Sequence, residues 1–173
     1  KGPFVADIRA AFESRKSLPA RTTLFEQLGT VVIPATSAPF VARDAFVVGT
    51  GRKVQARIAW IGSNFKEWFL EKTEQPMAET ELRYAKLLKP SVDAPILDEL
   101  GDANETTLGQ IFYLMSCQPN SKKGVLLTDG RANIFYVIDA RGALRAVNVG
   151  WYGDGWYVGA NPVDDPSRWY GKS

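Results

Sequence analysis

The rhythm of the last third of the chain constrains the fold more than any other feature. Beyond Pro119–Asn120 the sequence settles into a period of two, interrupted at short intervals by turn residues. Residues 125–127 read as a strand that runs into the turn signal Asp129–Gly130. Residues 134–138 form a continuous apolar run, the composition of a central strand. Arg141–Gly142 turns that run into residues 143–151, and Gly153–Asp154–Gly155 turns those into residues 156–160. Strands joined by such tight turns pair antiparallel with their neighbours. The expectation is a C-terminal β-meander of three to four strands.

The preceding part reads as mainly helical. Phe4, Ile8, Ala11 and Phe12 share a helical face, and Thr22 or Thr23 caps a short second helix through Leu28, closed by Gly29. Residues 31–33 read as an edge strand cut by Pro34, and residues 35–39 as a loop. Residues 46–48, Gly49–Thr50–Gly51 and residues 54–60 read as a hairpin, with Val54, Ala56, Ile58 and Trp60 on one face. Ser63 is placed as the N-cap of a helix carrying Phe65, Trp68 and Phe69. Residues 81–88 read as a strand with Leu82, Tyr84 and Leu88 on one side. Asp93 caps a short helix with Pro95 in its first turn and Gly101 at its end. Thr106 or Thr107 opens the clearest helix, with the stripe Leu108, Ile111, Phe112 and Met115. The expected class is α+β, with helices mainly in the N-terminal two-thirds and a single domain over residues 1–173.

Charge and cysteine use narrow the surroundings. Twenty-one basic and 19 acidic side chains leave a net charge of +2, too little for a strong field toward nucleic acid or an anionic membrane. No apolar run approaches the ~18 residues of a spanning helix. The lone Cys117 excludes an intramolecular disulfide and fits a reducing compartment. A soluble, cytoplasmic protein with no membrane partner is the expectation.

Four stretches carry a resemblance: residues 64–72, Thr106–Thr107–Leu108, residues 124–130 and residues 132–137. In these the chain resembles a group of short hypothetical proteins from uncultivated bacteria, over about Val54 to Trp169. The resemblance implies a small, stand-alone bacterial protein. It implies no activity, ligand or catalytic residue.

The chain has no histidine. That removes Ser-His-Asp and Cys-His catalysis and the commonest zinc sites. No phosphate-binding loop, dinucleotide fingerprint or EF-hand loop is present. No cofactor, metal site or catalytic residue is assigned, and the reading leans away from an enzyme. Cys117 follows a helix C-terminus, where nothing activates a thiolate, so it reads as a small half-buried residue. Ser116 with Lys122 or Lys123 has no spacing that supports a dyad. Asp93, Asp98, Glu99, Asp102 and Glu105 form the densest acidic segment, yet capping and a solvated helix face explain them.

The positive signal is aromatic. Trp151, Tyr152, Trp156, Tyr157, Trp169 and Tyr170 lie within twenty residues. Alternation places Trp156 and Val158 on one face of a strand and Tyr157 on the other, so one core does not hold every ring. Exposed rings make a stacking platform, and Arg131, Arg141, Arg145 and Arg168 lie near them in sequence; cross-strand packing alone is the competing explanation. The leading expectation is a non-catalytic binding module for another protein or a small ligand, with Trp151, Tyr152, Trp156, Tyr157, Trp169, Arg141 and Arg145 as contact residues. Nucleic-acid binding through the same rings with Arg141, Arg145 and Lys122–Lys123 is one alternative. A hydrolase-like enzyme using Asp93, Asp98 or Asp129 is the other.

Overall fold

The structure, a computed structural model, describes residues 23–170. The expected N-terminal helix over residues 4–12 lies outside them. The class is α+β. Its centre is a four-stranded sheet in the order β3–β8–β7–β6, built from β3 (Ile58–Ile61), β6 (Asn133–Ile138), β7 (Leu144–Tyr152) and β8 (Gly155–Pro162). The turns read from the sequence join β6 to β7 and β7 to β8, and both pairs are antiparallel. β3 adds to the free edge of β8 in parallel, with Ile58 opposite Trp156 and Ile61 opposite Val158. The sheet is therefore mixed and not a simple meander. The apolar run 134–138 forms an edge strand, not a central one.

Two further ladders flank this sheet. β1 (Phe25–Ile33) and β5 (Thr80–Leu87) pair antiparallel as a long ribbon, and β2 (Phe40–Val41) pairs with β4 (Thr73–Glu74). The short helix expected to end at Leu28 is thus the first half of β1. Gly29 is not a helix stop. It lies beneath the Tyr84 ring, just after a bulge at Gln27, and cross-strand pairing overrides the local capping pattern.

Among the described residues, helices are α1 (Ala42–Ala45), α2 (Ser63–Phe69), α3 (Asp93–Leu100) and α4 (Leu108–Cys117), with a 3₁₀ turn at Gly101–Ala103. They alternate with β2 to β5, so the helices do not form an N-terminal block. Gly62, not Ser63, is the N-cap of α2. Val92 occupies that position for α3, which puts Asp93 inside its first turn. Thr107 caps α4 in a full capping box, its hydroxyl accepting from the Gln110 N–H while the Gln110 carboxamide accepts from the Thr107 N–H.

Two other expectations fail. The hairpin over residues 46–60 reduces to a single bridge between Gly49 and Ile58, because Ile58–Ile61 is taken up by β8. Residues 125–127 are irregular. The buried Leu126 is held by the Gln118 side chain, which accepts from its N–H and donates to its carbonyl, so a side chain replaces a strand partner.

One face of the sheet carries Val147, Val149, Trp151, Trp156, Val158 and Ala160 against Phe65 and Phe69 of α2 and Leu108, Ile111 and Met115 of α4. Trp156 is the largest fully buried side chain, and its indole N–H donates to the Met115 carbonyl at 3.3 Å. Trp156→Ala is expected to cost about 3–5 kcal/mol in urea unfolding. Trp60→Ala, at an exposed ring, is expected to cost about 1 kcal/mol or less.

Candidate functional site

The opposite, outer face of the sheet is divided. On the β6 side, Tyr136, Ala146, Ile134 and Leu144 pack with Ile96 of α3, Leu24 and Trp169 in a second core. A carboxylate fixes this cover. Asp93 is 1% exposed, and its Oδ1 accepts from the Tyr136 hydroxyl at 2.5 Å and from the Trp169 indole N–H at 2.7 Å. Ser91 and Trp169 exchange backbone hydrogen bonds at 3.0 and 2.8 Å, which ties the last strand-like segment to the start of α3. Glu99, two turns along the same helix, accepts from the Leu24 N–H with both carboxylate oxygens.

On the β3 side the outer face is open. Trp60 of β3, Tyr157 of β8 and Tyr152 of β7 form one aromatic row across three strands. Trp60 and Tyr157 stack with centroids 5.8 Å apart, and Tyr157 meets Tyr152 edge-on at 5.1 Å. Their exposures are 49%, 39% and 45%, large for rings in mutual contact. Glycines let the rings lie close to the sheet. A Cβ at Gly62 would come within 2.8 Å of the Trp60 ring, and one at Gly150 within 2.8 Å of the Tyr152 ring. The Asn148 carboxamide lies over Gly159 on the same face.

The residues read from the sequence separate accordingly. Trp151 and Trp156 meet edge-to-face at 5.2 Å inside the first core, Trp156 with no exposed surface and Trp151 with almost none. Trp169 belongs to the cover. Tyr152 and Tyr157 belong to the open row, and Tyr170, next to Trp169 in the chain, is exposed. Arg141 pairs with Glu67 at 3.6 Å. Arg145 pairs with the buried Asp139 at 2.9 Å and stacks over Trp68 at 4.1 Å. Both arginines stand at the β6–β7 turn end and not at the row.

Burial raises the Asp139 carboxyl, but N–H groups of Ala143 and Arg141 and the Arg145 guanidinium outweigh it. The group is held below the ordinary carboxylate value. Arg131, next to the row through the Gly130–Tyr152 contact, is tied to Asp129 by a fork of hydrogen bonds.

Trp60 completes the site although the alternation of residues 54–60 assigns it to the buried face. A bulge between Ile58 and Trp60 shifts the parity of β3, so Ile58 and Ile61 point inward and Trp60 outward. Cys117 is exposed, not half-buried. Of the acidic candidates, Asp93 is enclosed by its two donors and Asp129 is bound to Arg131, and no three Asp, Glu or Cys side chains converge among the described residues. No described helix is long and apolar enough to cross a membrane. Comparison with family models, curated proteins and solved structures finds no match to this chain.

Burial, and then the hydrogen bond to Asp93, push the Tyr136 phenol far above its ordinary value. In the unfolded chain that phenol ionises near pH 10, whereas in the folded protein it keeps its proton. Its stabilising contribution is therefore complete below pH 10 and falls as pH rises further. Urea midpoints at pH 8 and pH 11 should fall by less in Tyr136→Phe than in the wild type; an equal fall would contradict the enclosed phenol.

Proposed function

We propose that the protein is a non-catalytic binding module whose contact surface is the open half of the outer sheet face. The observation that carries this reading is the contiguous, half-exposed row Trp60–Tyr157–Tyr152, on a sheet whose other half is covered by α3 and Trp169. Aromatic rings of this kind contribute large contact area at low cost in conformational entropy and dominate binding energetics where they are enclosed. Around the rings lie the Asn148 amide, glycine backbone and the Asp129–Arg131 pair, with the exposed Asp154 of the β7–β8 turn at the border. The rings themselves match an apolar or aromatic surface, either another protein's side chains or a small ring-bearing ligand.

A row of rings also suits stacked bases. The position of the arginines weighs against that version, since Arg141 and Arg145 lie at the β6–β7 turn end beside Glu67 and Asp139, away from the row. Fluorescence polarisation with a labelled single-stranded oligonucleotide at low salt is expected to show no saturable binding. Saturable binding with a steep salt dependence would favour the nucleic-acid reading.

The experiment on the leading version compares wild type with Trp60→Ala/Tyr157→Ala, after circular dichroism shows that both are folded. A partner captured by the immobilised wild-type protein should lose at least tenfold in affinity toward the variant, since each aromatic anchor contributes on the order of 1–2 kcal/mol or more. Equal affinity for both proteins would contradict the reading.

A further inference from the structure

A second surface, away from the aromatic row, has the form of a small-molecule site. Between the β2–β4 ladder and α4 lies a cleft of about 470 Å³, within the ~300–1,000 Å³ range of ligand pockets. Its walls are Phe40 of β2, Phe112 and Tyr113 of α4, and Met77 from the segment between β4 and β5. Phe40 and Phe112 are in ring contact at 5.8 Å, so the two sides of the cleft form one apolar lining.

The polar groups on the wall divide into committed and uncommitted. The Glu74 carboxylate accepts from the backbone N–H groups of Leu108 and Gly109, each at 2.9 Å, and lies 3.4 Å from the Lys72 ammonium. It caps α4 and its charge is balanced by the lysine and the positive end of the helix. Thr107 is consumed by the capping box, and the Thr36 hydroxyl accepts from the Met77 N–H. The Ser116 hydroxyl donates to the Tyr113 carbonyl. What remains for a ligand is the amides of Gln55 and Gln75, the Thr36 O–H as a donor, and the hydrogen-bonding capacity of the Tyr113 phenol not taken by Cys117. A hydrogen bond with the Cys117 thiol raises the Tyr113 phenol above its ordinary value.

We propose that this cleft binds a neutral, ring-bearing apolar small molecule, packed between Phe40, Phe112 and Met77 and hydrogen-bonded by Tyr113 or a glutamine amide. The neutrality follows from the wall. Glu74, the one charged group among the described residues that line the cleft, already has its partners, so a ligand charge placed there would lose water and gain no counter-charge. The inference is independent of the aromatic row and stands or falls separately from it.

The test uses two related fluorophores, neutral N-phenyl-1-naphthylamine and anionic 8-anilinonaphthalene-1-sulfonate, titrated into the folded protein. The neutral dye should show saturable, blue-shifted emission and bind at least tenfold more tightly than the anion. Ser116→Phe, which fills the cleft from α4, should abolish that signal with an unchanged melting temperature. Gln75→Trp, which fills it from the opposite wall, gives the same readout should Ser116→Phe not fold. Trp60→Ala/Tyr157→Ala should leave the titration unchanged. The proposal is overturned by the absence of saturable binding, by equal affinity for the two dyes, or by a signal that survives the filled cleft or disappears with the aromatic row.

Discussion

A carboxylate with almost no contact with water sits at the first turn of α3, and two aromatic side chains from distant parts of the chain donate to it. Asp93 joins Tyr136 of β6 to Trp169 near the end of the described chain. Its location in a helix first turn is favourable for negative charge, and the two donors make up for lost hydration. Removing either would leave a buried acceptor underused, so the three groups hold together as a unit. Through them α3 and the segment ending at Trp169 are pressed onto one half of the sheet's outer face.

That arrangement determines what the rest of the sheet is left with. The inner face is closed by α2 and α4, and Trp151 and Trp156 are absorbed there. The covered half of the outer face takes Trp169. No described element reaches over Trp60, Tyr157 and Tyr152, which shield one another and the glycines beneath them. Cross-strand contacts of this sort stabilise a sheet by a few tenths to about 1 kcal/mol each. They do not remove the rings from solvent, and the remaining exposed area is what distinguishes this row from the two tryptophans directly behind it.

Much of the sheet was legible from the sequence because its turns are local. Arg141–Gly142 and Gly153–Asp154–Gly155 fix two hairpins within a few residues, and the Thr107 capping box with its apolar stripe fixes α4. The pairing of β3 with β8 was not legible, since a parallel partner almost a hundred residues away leaves no trace in a short window. β1 was concealed by threonines and a glycine that imitate helix boundaries. The candidate site was half legible. Alternation separates Tyr157 from Trp156, but the β3 bulge that turns Trp60 outward has no marker in residues 54–60. Arg141 and Arg145, near the rings in sequence, stand away from the row at the β6–β7 turn end beside Glu67 and Asp139, a placement that follows from tertiary packing.

The account depends on water having access to one set of rings and not to another on the same two strands. Photochemically induced dynamic nuclear polarisation with a soluble flavin measures that access ring by ring in the folded protein. Polarised signals are predicted for Trp60, Tyr157 and Tyr152, with none from Trp151 or Trp156. Silence from Trp60 and Tyr157, or polarisation of Trp156, would contradict the open half-face on which the proposed binding role rests.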